Sequence, residues 1–329
     1  MKITLKDNVV KEFDSAMSVL DIAKSISEGL ARNACAGIVD GEVKDLRYVV
    51  DKDAEVSICT FEDEAGKIAF RHTTSHILAQ AVKRLYPEVK LAIGPAIADG
   101  FYYDFDKEKA FTPEELEAIE AEMKKIVKED LPIERFELPR AEAIKYMEER
   151  EEPYKVELIQ DLPEDAVISF YKQGDFTDLC AGPHLMSTKP VKAIKLTSVA
   201  GAYWRGSEKN KMLSRIYGTA YPKASELEAY LTMMEEAKKR GLYNLVSTPD
   251  ALPHFIDEKN EKLLTSHHIF TDAELHSRYE IKMENYVKTL HIEANTLVEI
   301  IQKDLLPSIT TYMEKLAQTA SLKKSVVPG

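Results

Sequence analysis

The chain has 329 residues, 44% of them hydrophobic, and a formal net charge of −12. That length exceeds what one hydrophobic core usually organises, so roughly two to four domains are expected. The acidic total argues against binding nucleic acid by bulk charge alone.

The apolar runs are short, and the N-terminus Met1-Lys2-Ile3-Thr4-Leu5-Lys6 alternates like a strand with no signal core, so neither a membrane span nor secretion is expected. Cys35, Cys59 and Cys180 are odd in number and lie in regions of different character. That pattern suits a reducing compartment, and a cytoplasmic location is expected.

In chain order, the spacing predicts strands over 2–5 and 9–13 joined by a turn at Asp7-Asn8. Ser18 and Asp21 then open a helix whose face carries Val19, Ile22, Ala23, Ile26 and Leu30. Further strands over 36–39, 46–50 and 56–58 complete a β-grasp pattern. A second region begins with a helix from Arg71 to Val82, ended before Pro87. Thr112-Pro113-Glu114-Glu115 has the cap, N1 proline and N3 glutamate of a surface helix running to about Asp130. Short helices follow over 140–160, then a strand-rich segment over 167–217. A helix over 223–240 places Leu227, Tyr230, Leu231 and Met234 on one side and stops at Gly241.

Beyond Gly241, Thr271-Asp272-Ala273-Glu274 is a capping box. Leu275, Tyr279, Met283, Tyr286, Leu290, Ala294, Leu297, Ile301 and Leu305 then keep helical spacing up to Pro307, which is expected to kink or end the helix. A helical hairpin or bundle piece that folds its apolar stripe back on itself is expected.

Two pairs carry chemistry. His72 and His76 lie four apart on one helical face, and Cys180 and His184 flank a Gly-Pro turn. On spacing alone, a zinc site and histidines satisfied by core hydrogen bonds remain equal alternatives.

The residues 72–76 (His-Thr-Thr-Ser-His), 100–104 (Gly-Phe-Tyr-Tyr-Asp), 152–155 (Glu-Pro-Tyr-Lys), 178–184 (Asp-Leu-Cys-Ala-Gly-Pro-His) and 200–206 (Ala-Gly-Ala-Tyr-Trp-Arg-Gly) resemble the editing domain of threonyl-tRNA synthetases, shared in outline with alanyl-tRNA synthetases. The first sixty residues resemble the ubiquitin-like TGS domain found at the front of such enzymes. The resemblance implies hydrolysis of the ester of mischarged Ser-tRNA(Thr). It is needed because one missing methyl is worth only about 1–3 kcal/mol of discrimination in the synthetic site.

The resemblance implies a pocket of His72, His76, Tyr103, Lys155, Asp178, Cys180 and His184, and the needs of ester hydrolysis point to His72, Lys155, His184 and Asp178 for catalysis. His72 with His184 would position water, Asp178 would meet the substrate ammonium and Lys155 would bring charge to the ester. His76, Tyr103 and Cys180 would shape the substrate pocket, Cys180 as a wall rather than a nucleophile. Trp204, Arg205, Lys209 and Lys211 are candidate contacts to the tRNA acceptor end, within a run of cations that also includes Lys189, Lys192, Lys195 and Arg215. A lone strand tryptophan is equally a core residue, and charge runs are often solvated faces. No cofactor is expected for editing, nor an ATP site. If zinc binds, the set is His72, His76, Cys180 and His184.

The 89 residues after position 240 are too few for a class II synthetase core, so ligase activity is not expected of this chain. Residues 248–253 and 270–280 instead resemble the C-terminal helical part of type III glutamine synthetase, which implies a chimera joined near Arg240-Gly241. The tail is a candidate surface for an oligomeric partner.

The expected fold class is α+β and multidomain. It comprises a β-grasp domain over 1–61, an α+β editing domain over 62–224, a linker helix over 225–240 and an all-α tail over 241–329. The alternatives are a non-catalytic RNA-binding module and a subunit-interaction fragment of a glutamine synthetase.

Overall fold

The computed structural model describes residues 1–6, 8–241 and 248–326, with side chains through Thr319. Asp7 of the expected turn lies outside them. The chain divides into two compact units, Met1–Glu235 and Glu236–Gly329.

The first unit opens with a five-stranded sheet. Lys2–Leu5 pairs antiparallel with Val10–Glu12 and parallel with Ala54–Thr60, which continues to Ala34–Val39 and Glu42–Lys44. The helix across it starts where expected, since the Ser18 hydroxyl accepts from the Asp21 N–H at 3.1 Å. It does not run on to Leu30. Ser27 adopts an extended backbone and caps a second short helix, Glu28–Asn33, accepting from the Leu30 N–H at 3.0 Å. A serine that offers its own side chain to backbone donors competes with helix continuation.

The Glu64–Leu85 helix is the spine of the unit and begins before the expected Arg71. Every residue from Thr73 to Val82 is buried, so it is packed all round rather than on one face. Its polar residues survive burial because their hydroxyls find carbonyls. Thr73 donates to Ala69 O at 2.8 Å, Thr74 to Phe70 O at 2.9 Å, and Ser75 to His72 O at 2.8 Å and Gly94 O at 2.6 Å.

On one side lies the sheet ordered Ala193–Tyr203, Met212–Tyr221, Gly100–Asp106, Lys90–Leu91. Against it packs the Pro113–Glu129 helix, whose capping box forms as expected and whose Ile119, Met123 and Ile126 are buried. A three-stranded sheet, Ile133–Glu137, Ser169–Gln173 and Phe176–Leu179, sits beside the helices Arg140–Glu148 and Pro153–Asp161. Cys35, Ala36 and Cys59 of the front sheet belong to the same apolar cluster as Phe70, Tyr103 and Ile216. The β-grasp part keeps a core of its own around Ile3, Val19, Ile22, Leu46 and Val56, and Cys35, Ala36 and Cys59 join its sheet to the core of the part that follows.

The second unit departs from expectation. Its short helices Thr248–Ala251 and Glu258–Ser266 precede a helix Asp272–Ile300, with the capping box at Thr271 and Glu274. No hairpin follows. A widened turn over Ile301–Leu305 leads directly into Leu306–Val326. Pro307 lacks an N–H to give the preceding turn, and the wide turn absorbs that loss, so the helix neither ends nor folds back. Among the described residues of this unit only Leu275 is buried, and Val287, Leu290, Leu297, Leu305 and Ile309 are exposed. No helix among the described residues is long and apolar enough to cross a membrane.

Candidate active site

Helical spacing puts the His72 and His76 imidazoles on one face of the Glu64–Leu85 helix, ring centroids 5.2 Å apart. The segment after the strand Phe176–Leu179 turns back over them and delivers Cys180 and His184. Cys180 Sγ lies 3.3 Å from His72 Nε2 and 3.2 Å from His184 Nε2, and it accepts the Gly182 N–H at 3.2 Å. The His184 ring sits 4.2 Å from His76 and 4.3 Å from Tyr171.

A second cluster adjoins through His76, whose Nε2 is 3.7 Å from Asp178 Oδ2. Lys155 Nζ stands 2.6 Å from Asp178 Oδ1 and donates to the Tyr103 hydroxyl at 3.0 Å. Tyr103 in turn donates to Asp178 Oδ2 at 2.6 Å. The ammonium therefore has two of its three donors engaged within the site. Both Asp178 oxygens already serve this chain's own donors, so any approaching substrate ammonium would meet only its remaining lone pairs. His76, Tyr103, Lys155, Asp178 and His184 are buried, whereas His72 and Cys180 are half-buried and form the accessible side of the cluster.

Burial governs the charge states. It pushes His72 down to about 4 and His76 down to about 3, against the pull of Asp178, and holds His184 well below its ordinary value. The imidazoles are therefore neutral bases at neutral pH. Burial also raises the Cys180 thiol to about 12, which leaves it protonated and a poor nucleophile. For Asp178, burial alone would raise the carboxyl. The Lys155 charge, with His76 and the Tyr103 hydrogen bond, overrides it and keeps the carboxylate ionised below the usual range.

Thr73 was missed by sequence reasoning, although it lies between the two histidines. Its Oγ1 lies 3.2 Å from His184 Nδ1, accepts the Leu185 N–H at 2.9 Å and gives its own proton to Ala69 O. With the hydroxyl proton directed at Ala69 O, Thr73 presents a lone pair to His184 Nδ1, an arrangement that favours the tautomer with its hydrogen on Nδ1 and the Nε2 lone pair towards Cys180. No pattern flags such a threonine, because its role depends on a loop 111 positions away.

The candidate RNA contacts fall elsewhere. Trp204 is core, 6% exposed, packed on Tyr154 with ring centroids 5.0 Å apart and donating its indole N–H to Glu157. It has no free face for a base, so the core alternative holds. Arg205 pairs with Glu157 and Asp161, Lys211 with Asp106, Lys189 with Asp130, Lys195 with Glu120 and Arg215 with Asp104. Neighbouring carboxylates thus neutralise most of the basic run that looked like a phosphate-binding stripe, leaving Lys192 and Lys209 exposed.

Residues 1–60 match the TGS domain family and residues 168–217 the threonyl and alanyl tRNA synthetase second additional domain. A threonine–tRNA ligase of Acetivibrio thermocellus is 68% identical over 240 residues, 73% of this chain and 38% of the relative. Residues 1–240 resemble the N-terminal region of threonine–tRNA ligases. A second such ligase, from Clostridioides difficile, is 60% identical over 276 residues, 80% of this chain and 43% of the relative. A third, from Clostridium botulinum Eklund 17B, is 67% identical over 240 residues, covering 73% and 37%. The chain thus spans about two fifths of the length of these relatives.

Residues 230–324 match the glutamine synthetase C-terminal domain. That match begins ahead of Arg240-Gly241, and the 80% cover by the C. difficile relative exceeds the residues before Gly241. The two likenesses therefore overlap rather than abut.

Proposed function

We propose that residues 1–240 act as a threonyl-tRNA synthetase-type editing module that hydrolyses the ester of mischarged Ser-tRNA(Thr). The observation that carries this reading is the pair of neutral imidazoles, His72 and His184, whose Nε2 atoms flank Cys180 Sγ at 3.3 and 3.2 Å beside the buried Lys155–Asp178 pair. An ester hydrolase needs a base to position and deprotonate water, together with fixed positive charge where the carbonyl oxygen gains electrons.

In this reading His72, on the open side, holds the attacking water, and His184 Nε2 shares its proton. The remaining Lys155 donor faces the developing oxyanion or the terminal ribose hydroxyl. Asp178 fixes Lys155 and Tyr103 and attracts the amino group of the substrate, while His76 and Tyr103 set the size of the pocket. The partner is the acceptor end of tRNA(Thr).

The donor atoms of His72, His76, Cys180 and His184 all lie within 4.8 Å of one another. The Sγ–Nε2 distances, 3.3 and 3.2 Å, fall a few tenths short of the roughly 3.5 Å edge of a zinc tetrahedron, so the four donor types fit zinc once small shifts bring every edge to that length. Zinc held by three of the four would keep a position open for the ester carbonyl and would polarise it as a Lewis acid, whereas all four ligands together would close its shell. Our reading is that the chain's own groups suffice.

The test is turnover of Ser-tRNA(Thr) by the full chain, with His72→Ala beside it, before and after chelation. Hydrolysis lost in His72→Ala and retained after chelation supports the reading. Loss on chelation with rescue by zinc overturns the metal-free part, and binding without turnover overturns the hydrolase in favour of an RNA-binding module.

A further inference from the structure

The loop that carries His184 is held from outside its own part of the fold. The turn between the front-sheet strand Glu42–Lys44 and the short strand Val49–Val50 presents Asp45 and Arg47 to it. Asp45 Oδ2 accepts the His184 main-chain N–H at 3.1 Å and the Tyr171 hydroxyl at 3.0 Å. Asp45 Oδ1 accepts the Arg47 N–H at 2.9 Å and its guanidinium at 2.8 Å. The same guanidinium donates to Leu185 O at 2.9 Å, to His184 O at 3.4 Å and to Ile133 O. Both main-chain groups of His184 therefore end on one residue pair of the front domain, more than 130 positions upstream.

The pair is rigidly based. Leu46, between the two residues, is 1% exposed in the front core, and Met186, two residues past His184, packs its side chain against that same core. The Asp45 and Arg47 side chains are 10% and 19% exposed, and Asp45 uses both oxygens. A buried charged pair with this many directed bonds is costly unless each bond is made, which makes its geometry unique rather than adaptable.

We propose that Asp45 and Arg47 are positioning residues for the hydrolytic site. They fix the His184 main chain, while Thr73 fixes the ring, so that Nε2 points at Cys180 and the cleft. The front domain is then part of the hydrolytic machinery rather than a separate appendage. The kinetic side of this proposal rests on the hydrolase reading above.

The test uses the full chain carrying Asp45→Ala, Asp45→Asn or Arg47→Lys. In Asp45→Ala, kcat for Ser-tRNA(Thr) hydrolysis should fall about 10- to 100-fold, the usual effect of losing a group that orients a site residue. KM should stay near the wild-type value. Asp45→Asn keeps an oxygen that accepts the His184 N–H and should recover part of the loss, which a generally destabilised fold would not do. A second readout is independent of turnover: the His184 amide should exchange faster, and its ring nitrogen shifts should show mixed tautomers. A folded Asp45→Ala protein with unchanged kcat and unchanged His184 signals overturns the proposal. If the wild type itself shows no turnover, the hydrolase reading fails and the His184 signals alone decide this one. If Asp45→Ala does not fold, Arg47→Lys, which keeps the charge and loses the fork, is read in the same two ways.

Discussion

Thr73 Oγ1 and His184 Nδ1 are 3.2 Å apart, across a gap of 111 positions in the chain. With the threonine proton directed at Ala69 O, this contact favours the His184 tautomer that carries its hydrogen on Nδ1. Thr73→Val keeps the shape and removes the oxygen. It leaves two buried donors, His184 Nδ1–H and Leu185 N–H, without an acceptor, at about 1–3 kcal/mol each. The expected outcome is a lower urea midpoint and loss of most Ser-tRNA(Thr) hydrolysis, whereas Thr73→Ser should keep both. Full activity in Thr73→Val would mean the tautomer is set by something else.

Cys180 tests the choice between water and a covalent nucleophile. Its thiol is raised to about 12 by burial, so it serves as a neutral hydrogen-bonding wall between His72 and His184. Cys180→Ser keeps a donor and acceptor there and should retain turnover within about tenfold, well short of the loss expected when an essential nucleophile is removed. Rapid quenching of the reaction should trap no seryl enzyme. A trapped acyl-enzyme, or complete loss in Cys180→Ser with the fold intact, would refute the water mechanism.

The buried imidazoles make stability depend on pH in a defined direction. Unfolded histidines bind protons near 6.5, while His72 and His76 in the fold do so only at about 4 and about 3, with His184 also well below 6.5. Below pH 6.5 the unfolded chain holds more protons, so stability rises with pH through this window and is lost as pH falls towards 4. Urea unfolding followed at pH 7.5, 6 and 5 should show a falling midpoint, and His76→Gln should flatten the slope. An unchanged midpoint from pH 7.5 to 5 would show that these rings do not remain neutral in the fold.

How much of this was legible beforehand varies from residue to residue. His72 and His76 were legible because four-residue spacing places them on one helical face whatever the helix packs against. The caps at Ser18, Thr112 and Thr271 were legible for the same reason, since each forms within four consecutive residues. The break at Ser27 was not, because an uninterrupted apolar face hid a serine that caps as readily as it continues. The long tail helix misled in the other direction. Proline spacing suggested a turn, but one wide turn removes the need for it.

Local pattern by itself determined the caps at Ser18, Thr112 and Thr271, the paired histidines and the Cys180–His184 spacing, because those depend on neighbours within one or two turns. Whether Trp204 met a base or a core, whether the basic run stayed unpaired, which partner meets each ring nitrogen of His184 and that Asp45 and Arg47 hold its main chain were decided only by tertiary structure. Each depends on which distant carboxylate, hydroxyl or carbonyl folding brings within hydrogen-bond reach. Hydrogen bonds and charge pairs act over a few ångströms, whatever the separation along the chain, so sequence periodicity does not encode them.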